Sequence, residues 1–344
     1  MKISGRQISK RETPYIIAEV SANHNGSIDQ AMRLISLAAK AGADAVKLQT
    51  YTADTLTIDC DRADFVIQDG LWEGRTLYDL YTEAHTPWEW HQSLFDHAKK
   101  EGITVFSSPF DVTAVSFLEE LNAPAYKVAS FEIVDWQLLH AIARTGKPTI
   151  ISTGMATEQE IKDALDIFES YNNRDVAILH CVSGYPAPSS DYNLRTLTDM
   201  QNRFAVPVGL SDHTLDNITA TASVALGACI IEKHFTEDRS GGGPDDSFSL
   251  EPQELESLCN DTKVVHRALG AVDYSLKSSE ATNQKFRRSL YFVRDIAEGE
   301  QIRSEHVRSI RPGYGIPPKH LGEVLGSLAK RDAARGEPVQ FGDF

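Results

Sequence analysis

The sequence predicts an α/β protein, a (β/α)8 barrel followed by a small β-rich domain, and three observations support this fold class. Eight short runs rich in β-branched residues alternate with amphipathic helical stretches. Glycine precedes several of these runs, as in AGAD and LGA, at positions where helices commonly end. After residue 286 the pattern changes to short strands and turns rich in proline and glycine. Eight parallel strands that alternate with helices can close into one barrel.

The predicted elements follow one another in a regular order. The eight strands are Tyr15–Val20, Asp44–Gln49, Ile103–Ser107, Ala125–Ala129, Thr149–Ser152, Val176–Cys181, Pro207–Leu210 and Cys229–Lys233. The helices are Ile28–Ala41, Trp88–Glu101, Val112–Leu121, Trp136–Arg144, Glu158–Tyr171, Leu194–Arg203, Leu215–Leu226 and Leu255–Leu269. The interval from Thr50 to Thr86 is too long for one loop, so we expect an insertion that shapes access to the barrel mouth. The stretch SGGGPDDS at 240–247 lacks the known phosphate-binding patterns and predicts a mobile loop after the eighth strand.

Three segments follow from this organisation. Residues 1–272 form the predicted barrel, residues 273–286 a polar linker, and residues 287–344 a small mixed β domain. A domain of about sixty residues is too small for much chemistry of its own. We therefore expect the function to lie mainly in the barrel.

Composition narrows the class of protein. The chain has 344 residues, of which 34 are basic and 49 acidic, and its formal net charge is -15. This charge disfavours binding to nucleic acid and to anionic membranes. The longest nearly apolar stretch, Ala222 to Ile231, is about half of the ~20 residues that a membrane-spanning helix needs, and the first residues lack the apolar segment of a secretory signal. We expect a cytoplasmic protein.

The four cysteines predict neither a zinc site nor a disulfide scaffold, because they lie far apart in the sequence. Cys181 and Cys229 fall in apolar strands. Both are expected to act as small buried hydrophobic residues.

Polar residues follow every predicted strand. The carboxyl ends of the strands meet at one mouth of a parallel barrel, where active sites form. A single serine at such a position is usually a turn or cap residue, but eight polar strand ends together predict a ligand site. Three glutamates belong to this set, namely Glu19, Glu132 and Glu232.

Two lysines and five serines at these ends predict a small anionic ligand. An unpaired ammonium in the barrel mouth is costly, so Lys47 and Lys127 are expected to face an anion. The alternative is an internal ion pair with Glu19 or Glu132. The hydroxyl groups fit a ligand that carries phosphate and carboxylate. They belong to Ser108, Ser130, Ser152, Ser183 and Ser211.

Two histidines predict a metal site. His213 and His234 end the seventh and eighth strands, so their imidazoles can converge on one divalent cation. Two histidines are a weak signal by themselves, and a core or hydrogen-bonding role is the alternative. Carboxylates nearby favour the metal, since an open site needs further ligands.

The ordered motifs resemble those of the sialic acid synthase family. The matching stretches are AEVSANHNGS, GADAVKLQTY, FSSPFD, PAYKVASFE, ISTGMAT, YPAP, GLSDHT, GACIIEKHFT and GGPDDSFSLEP. The C-terminal sixty residues are similar to the SAF (antifreeze-like) module of that family. Within the family, LWEGRTLYDLYTEAHTPWEWH, SSPFD and SFE are typical of the pseudaminic acid synthase branch. N-acetylneuraminate and legionaminate synthases, which run the same reaction on other amino-sugars, remain the alternatives.

The resemblance implies a (β/α)8 TIM barrel that condenses phosphoenolpyruvate with an open-chain amino-sugar aldehyde, giving a nine-carbon 2-keto acid and phosphate. It implies that phosphoenolpyruvate is held by Lys47, Ser108, Lys127, Ser130, Ser152, Ser183 and Ser211. It assigns a divalent metal, Mn2+ or Mg2+, to His213 and His234. The sugar and the attacking water would be surrounded by Glu19, Gln49, Glu132, Tyr185 and Asp245. Glu19 is the candidate for activating the water, with Glu132 as the alternate.

The resemblance also implies a domain-swapped homodimer. In this family the small module crosses to the partner barrel, and Arg311 of RPGYG would reach the sugar bound there. A solvated turn residue is the alternative role for Arg311, because Arg-Pro-Gly turns are common.

Two other classes of function compete with a synthase. A metal-dependent barrel aldolase or hydrolase also uses two histidines and several carboxylates, but it needs no anion cluster. A non-catalytic carbohydrate-binding protein is a remote alternative, since antifreeze-like modules can bind ice or carbohydrate. Turnover that depends on phosphoenolpyruvate distinguishes the synthase from both.

Overall fold

Eight parallel strands close into a barrel in the first of two units of the chain. The computed structural model describes residues 1–344, and the units are Met1–Gly270 and Ala271–Phe344. The barrel strands are β3 (Tyr15–Glu19), β4 (Ala45–Thr50), β5 (Thr104–Pro109), β6 (Tyr126–Val128), β7 (Thr149–Ser152), β8 (Val176–Cys181), β9 (Val208–Asp212) and β10 (Ile230–His234). Each pairs in parallel with its neighbour in sequence, and β10 pairs with β3 to close the ring. The predicted fold class is confirmed.

The inward side chains of the strands fill the barrel at its amino-terminal end. Ile17, Phe106, Ile150 and Leu179 belong to one buried apolar cluster. A short hairpin, β1 (Lys2–Ile3) and β2 (Arg6–Gln7), precedes the barrel and contributes Ile3 to that cluster. Because apolar side chains fill this end, polar inward residues are concentrated at the opposite end, where the strands finish.

Eight helices cover the outside of the barrel. They are α1 (Ile28–Ala41), α4 (His91–Glu101), α5 (Val112–Glu120), α6 (Trp136–Arg144), α7 (Glu158–Ser170), α8 (Thr196–Phe204), α9 (Ile218–Ala225) and α10 (Pro252–Leu269), while α2 (Ala53–Leu56) and α3 (Leu77–Ala84) lie in the segment after β4. The first helix shows why the sequence places them here: the Ser27 side chain caps its N-terminus, and Gly42, at φ 89°, ends it. The outward side chains of the strands and the buried faces of the helices form one large apolar core.

Strand register brings the polar ends of four strands to one level. His234 pairs with Glu19, and Glu19 pairs with Lys47. On the other side, Ser211 pairs with Glu232. The register thus places these side chains around a common opening, as the sequence predicted for a parallel barrel.

The long segment after β4 contains short elements instead of one loop. The helices α2 and α3 flank a 3-10 turn, Ala63–Phe65, and a bridge joins Val66 to Thr76 in antiparallel fashion. The predicted helix at Trp88 begins with a 3-10 turn, Trp88–Trp90, before α4 starts. The insertion predicted from the sequence is therefore present.

The second unit has its own apolar core. Two antiparallel strands, β11 (Ser289–Phe292) and β12 (Val307–Ile310), are followed by a short helix α11 (Leu321–Val324). Leu290, Phe292 and Ile302 lie in the core of this unit. The segment predicted as a plain linker contains an exposed 3-10 helix, Ser278–Phe286. No helix of the chain is both long enough and apolar enough to span a membrane.

Candidate active site at the barrel mouth

Four buried charges meet inside the carboxyl end of the barrel. Lys47 Nζ donates a hydrogen bond to Glu232 Oε1 at 2.9 Å and lies 3.1 Å from Glu19 Oε2. Lys127 Nζ lies 3.5 Å from the same Glu232 oxygen. Only about 1% of the Lys127 surface is exposed. The two ammonium groups predicted from the sequence are thus brought together, with one carboxylate between them.

This pairing differs from the expectation that the two lysines face only an anionic ligand, because both lie beside carboxylates of the protein. The internal pair with Glu19, named as the alternative, is present for Lys47, and Glu232 pairs with both lysines. Glu232 is a central residue that the sequence places among the polar strand ends but to which we assigned no role. The signal was available, because Glu232 lies two residues before His234 on β10 and therefore points to the same side.

Burial and neighbouring charges shift the pKa values of this cluster in opposite directions. Burial raises the pKa of Glu19, and the nearby Lys47 only partly offsets this effect. Burial would also raise the pKa of Glu232, but Lys127 and Lys47 outweigh it and lower that pKa. Burial lowers the pKa of Lys127 despite Glu232. At neutral pH, Glu232 is therefore the ionised partner of the two lysines.

Three serine hydroxyls beside this cluster are buried without a hydrogen-bond partner. They are the Oγ atoms of Ser108, Ser152 and Ser183. Buried polar atoms in proteins are nearly always hydrogen-bonded, so such a group points to a missing ligand. Ser152 and Ser183 lie at the ends of the neighbouring strands β7 and β8, and Ser108 lies at the end of β5, on the other side of β6, which carries Lys127. These positions fit the predicted anion site.

Gly154 makes the close approach of two serines possible. Ser130 Oγ accepts a hydrogen bond from the Gly154 N–H at 3.2 Å. A Cβ atom on Gly154 would lie 2.3 Å from Ser183 Oγ and 2.8 Å from Ser130 Oγ. Any other residue would therefore push the two hydroxyls apart. The sequence prediction did not include this glycine.

Cys181 is not the inert buried thiol that we expected. It ends β8 beside Ser211 of β9 and lies close to His213 and Ser130. Burial alone would raise the pKa of the thiol, but hydrogen bonds with His213 and Ser130 and the charges of His213 and Lys127 together outweigh burial and lower the pKa to about 7. The thiol therefore belongs to the lining of the barrel mouth.

His213 and His234 lie side by side, as predicted from the strand order. Their ring centroids are 5.4 Å apart. His213 Nδ1 faces the Val182 carbonyl oxygen at 2.8 Å, which leaves the other nitrogen for the hydrogen bond with Cys181. His234 Nδ1 is buried without a hydrogen-bond partner, 3.8 Å from Asp245 Oδ2. Burial and the charges of His213 and Lys47 lower the pKa of His234, so its imidazole is neutral.

These residues fit a metal with two protein nitrogens. Neutral imidazole is a normal ligand for divalent metals, and the unpartnered nitrogen of His234 has no other function in the structure. No group of three or more His, Cys, Asp or Glu side chains is arranged to hold a metal by itself. Oxygen atoms of substrate or water would therefore complete the coordination.

The predicted sugar-binding residues line the outer part of the mouth. Gln49 donates hydrogen bonds to Glu19 Oε1 and Ser21 Oγ, both at 2.9 Å. Ser21 in turn bonds Asp245. The Tyr185 ring lies 4.4 Å from the His213 ring. Burial raises the pKa of Glu132 to about 7, and its Oε2 has no partner.

The loop after β10 is fixed by hydrogen bonds, which differs from the mobile loop we predicted. The buried carboxylate of Asp246 accepts from Thr236 Oγ1, from Asn25 at 3.1 Å and from the Gly243 N–H at 2.8 Å. Side chains at Gly241 and Gly243 would collide with Asp246. The glycines therefore allow the chain to wrap around Asp246, and Asp245 is thereby held toward Ser21.

Arg311 is the predicted site residue that lies outside the barrel unit. It follows β12 in the second unit, where it is exposed. All the other predicted residues lie at the carboxyl ends of the barrel strands or in the loops that follow them.

Comparison with known proteins identifies the family. A family model described as the NeuB family matches residues 34–274, and the SAF domain model matches residues 287–344. The chain belongs to the NeuB family. The match of this NeuB chain to the SAF domain also confirms the small C-terminal module expected from the sequence.

Relatives of this NeuB chain extend over nearly its full length. It is 44% identical over 330 residues to the pseudaminic acid synthase of Campylobacter jejuni, which covers 96% of each chain. The pseudaminic acid synthase of Helicobacter pylori is 39% identical and covers 97% of this chain and 98% of the relative. Among solved structures, N-acetylneuraminic acid (sialic acid) synthetase of Leptospira borgpetersenii, in complex with citrate, superimposes with a TM-score of 0.74. It is 31% identical, over 82% of this chain and 94% of that chain.

Proposed function

We propose that this NeuB-family chain is a pseudaminic acid synthase. It condenses phosphoenolpyruvate with 2,4-diacetamido-2,4,6-trideoxy-altrose, giving a nine-carbon 2-keto sugar acid and inorganic phosphate. The observation that carries this proposal is the buried pair Lys47 and Lys127 beside three unpartnered serine hydroxyls, in a chain 44% identical to a pseudaminic acid synthase. Two cations and several neutral donors form a site for a small ligand with phosphate and carboxylate groups.

Phosphoenolpyruvate binds at the inner part of the mouth in this proposal. Its negatively charged groups pair with Lys47 and Lys127, as Glu232 does in the structure. The two lysines form a local positive cluster, which lets a protein of net charge -15 bind an anion. The neutral donors are Ser108, Ser130, Ser152, Ser183 and Ser211. The unpartnered hydroxyls of three of them support the assignment.

His213 and His234 hold the divalent metal, Mn2+ or Mg2+, in this proposal. When bound, such a metal polarises the aldehyde oxygen of the sugar. The sugar itself is bound by Gln49, Tyr185 and Asp245. Asp245 contributes a carboxylate 3.8 Å from His234, and its hydrogen bond to Ser21 fixes its direction.

The proposed reaction forms a C–C bond and a C–O bond to water, and breaks the C–O bond to phosphate. C3 of phosphoenolpyruvate attacks the aldehyde carbon, and the aldehyde oxygen takes a proton from solvent. Water adds to C2 while Glu19 accepts one of its protons and returns it to solvent. The C2–O bond to the bridging oxygen then breaks, the proton of the new C2 hydroxyl leaves with the phosphate, and the 2-keto group forms at C2. Glu132 is the alternate base.

The activity is expected to fall as the pH drops below about 7. A general base must be ionised, and burial raises the pKa of both candidate carboxyl groups, that of Glu132 to about 7. An unperturbed glutamate would keep the activity down to pH 4 to 5. In the wild type, we expect kcat/KM to fall on the acidic side with a midpoint near pH 7. In Glu19→Gln, we expect most of the activity to be lost and the remaining activity not to show this acidic fall. If Glu132→Gln has that effect instead, Glu132 is the base.

Arg311 reaches the sugar of the partner subunit in a domain-swapped homodimer. Arg311→Ala is expected to leave the dimer intact and to lower kcat/KM for the sugar at least about tenfold, the scale of a lost charge-assisted hydrogen bond. Steady-state kinetics and light scattering measure the two effects. Arg308→Ala, also exposed and three residues earlier, is the matched control. Unchanged sugar kinetics in Arg311→Ala would remove Arg311 from the site.

The cytoplasm is the proposed location. All four cysteines are free thiols, and three of them are buried. Reduced thiols fit a reducing compartment.

A phosphate-release assay tests the proposed function. The protein is incubated with Mn2+ and phosphoenolpyruvate, with or without one acceptor. The acceptors are 2,4-diacetamido-2,4,6-trideoxy-altrose, its legionaminate-type diastereomer and N-acetylmannosamine. We expect phosphate only when an acceptor is present, with the altrose derivative giving the highest kcat/KM. Equal or faster turnover of another acceptor would assign that sugar instead, and no turnover with any would contradict a synthase.

A further inference from the structure

The insertion after β4 carries a hairpin whose tip reaches the loop after β10. Residues 66–76 fold back on themselves, with Ile67 N–H donating to Arg75 O at 2.9 Å and Gly74 N–H to Ile67 O at 2.8 Å. At the tip, the indole N–H of Trp72 donates to the Pro244 carbonyl oxygen at 3.1 Å. The hairpin therefore joins the segment after β4 to the loop after β10 through this hydrogen bond.

The Trp72 ring forms the outer end of a row of rings that begins at the two metal-binding histidines. The Trp72 centroid lies 6.1 Å from that of Tyr185. Tyr185 lies 4.4 Å from His213 and 6.0 Å from His234, and the buried Phe248 lies 5.3 Å from Tyr185. Tyr185 thus stands between the indole and the imidazoles.

We place the open chain of the acceptor along this row. With the aldehyde carbon C1 at the histidines and the chain extended outward along Tyr185, C6 is five C–C bonds away. In this placement C6 faces the indole of Trp72. The indole has one polar hydrogen, and it is already donated to Pro244.

We propose that Trp72 is a specificity-determining residue that faces C6 of the acceptor and favours a 6-deoxy sugar over its 6-hydroxy counterpart. This inference rests on the proposed function. A methyl group packs against the ring face. A hydroxyl group there loses its hydrogen bonds to water and finds no free donor on the indole. Apolar pockets discriminate against an added hydroxyl only moderately, so we expect a preference of about 10- to 100-fold.

The test compares two acceptors that differ only at C6, 2,4-diacetamido-2,4,6-trideoxy-altrose and 2,4-diacetamido-2,4-dideoxy-altrose. The ratio of their kcat/KM values is measured for the full-length wild type, Trp72→Gln and Trp72→Phe. In Trp72→Gln, which offers amide donors and acceptors to a hydroxyl, we expect the ratio to fall to within about threefold of unity. In Trp72→Phe the ratio should be largely kept, because the ring face remains while the bond to Pro244 is lost.

Trp88→Phe is the matched control. The indole N–H of Trp88 also donates to a backbone oxygen, that of Tyr51 at 3.2 Å, but its ring stacks on Phe117 instead of Tyr185. In Trp88→Phe, the ratio of the kcat/KM values for the two acceptors should equal that of the wild type. An unchanged ratio in Trp72→Gln, or an equal loss of both acceptors, would overturn the inference while the synthase activity stands. If the wild type turns over neither acceptor with phosphoenolpyruvate, the proposed function fails and the inference fails with it.

Discussion

Lys127→Met is expected to reduce kcat/KM for phosphoenolpyruvate by about a hundred- to a thousandfold, the cost of removing a preorganised group that stabilises charge in a buried site. Lys127 is fully buried in the barrel mouth, and its ammonium faces Glu232 at 3.5 Å. The substitution keeps most of the side-chain volume, and Glu232 retains its bond to Lys47 at 2.9 Å. The variant should therefore fold, and the loss should appear mainly in the binding of phosphoenolpyruvate.

Steady-state kinetics with varied phosphoenolpyruvate measure this loss, and thermal unfolding checks the fold. Lys147→Met is the matched control, because Lys147 forms an ion pair with Glu119 and contacts no residue of the mouth. Its kinetics should match those of the wild type. A Lys127→Met variant that keeps wild-type kcat/KM would show that the anion does not bind between the two lysines.

His234→Ala is expected to reduce metal-dependent turnover at least about a hundredfold. Mutation of a residue that only hydrogen-bonds to a metal ligand already costs about 10- to 100-fold in metal affinity or activity. The unpartnered Nδ1 of His234 and its neutral state at pH 7 make it available to a cation, and only His213 supplies a second imidazole nearby. Removing one of two protein nitrogens leaves too few ligands to hold the metal.

Titration of activity with Mn2+ and direct measurement of Mn2+ binding check this prediction. His140→Ala is the control, because His140 lies on α6 outside the barrel, against Tyr171. It should bind the metal as the wild type does. A His234→Ala variant as active in chelator as the wild type is with Mn2+ would contradict the assignment of a metal to this pair.

The eight barrel strands could be predicted from the sequence to within two residues, because each is an apolar run bounded by glycine, proline or charged residues, whereas the hairpin of β1 and β2 was not predicted. Helix starts were less accurate where a side chain binds the loop before the helix. The predicted helix at Leu215 begins at Ile218, since Lys233 Nζ donates to the carbonyl oxygens of Thr214 and Asp216, both at 2.7 Å. This contact between distant parts of the chain leaves no periodic pattern in the sequence.

The residues at the mouth could be predicted from strand parity, but their pairings could not. Parity places Lys47 and Glu232 on the inner side of the barrel, whereas the curvature of the barrel and the length of the side chains decide that they meet. The same parity rule pointed to Cys181, two residues before Ser183. The apolar strand around Cys181 predicts a small buried hydrophobic residue instead, and the sequence gives no sign of its partner His213, 32 positions away.

The contact between Trp72 and Pro244 shows the limit of sequence patterns most clearly. The two residues lie 172 positions apart in segments without regular periodicity. Glycines mark the turns of the hairpin at 66–76 and of the loop at 240–247 in the sequence. Only the folded barrel brings the two turns together.

In the proposed reaction, this chain adds water at C2 of phosphoenolpyruvate and releases phosphate by breaking the C2–O bond. Phosphoenolpyruvate labelled with 18O at the bridging oxygen tests it directly, in the presence of Mn2+ and 2,4-diacetamido-2,4,6-trideoxy-altrose. Mass spectrometry of the inorganic phosphate should find the label there in nearly every molecule released. Phosphate without the label would mean that the P–O bond breaks instead, and would contradict the account.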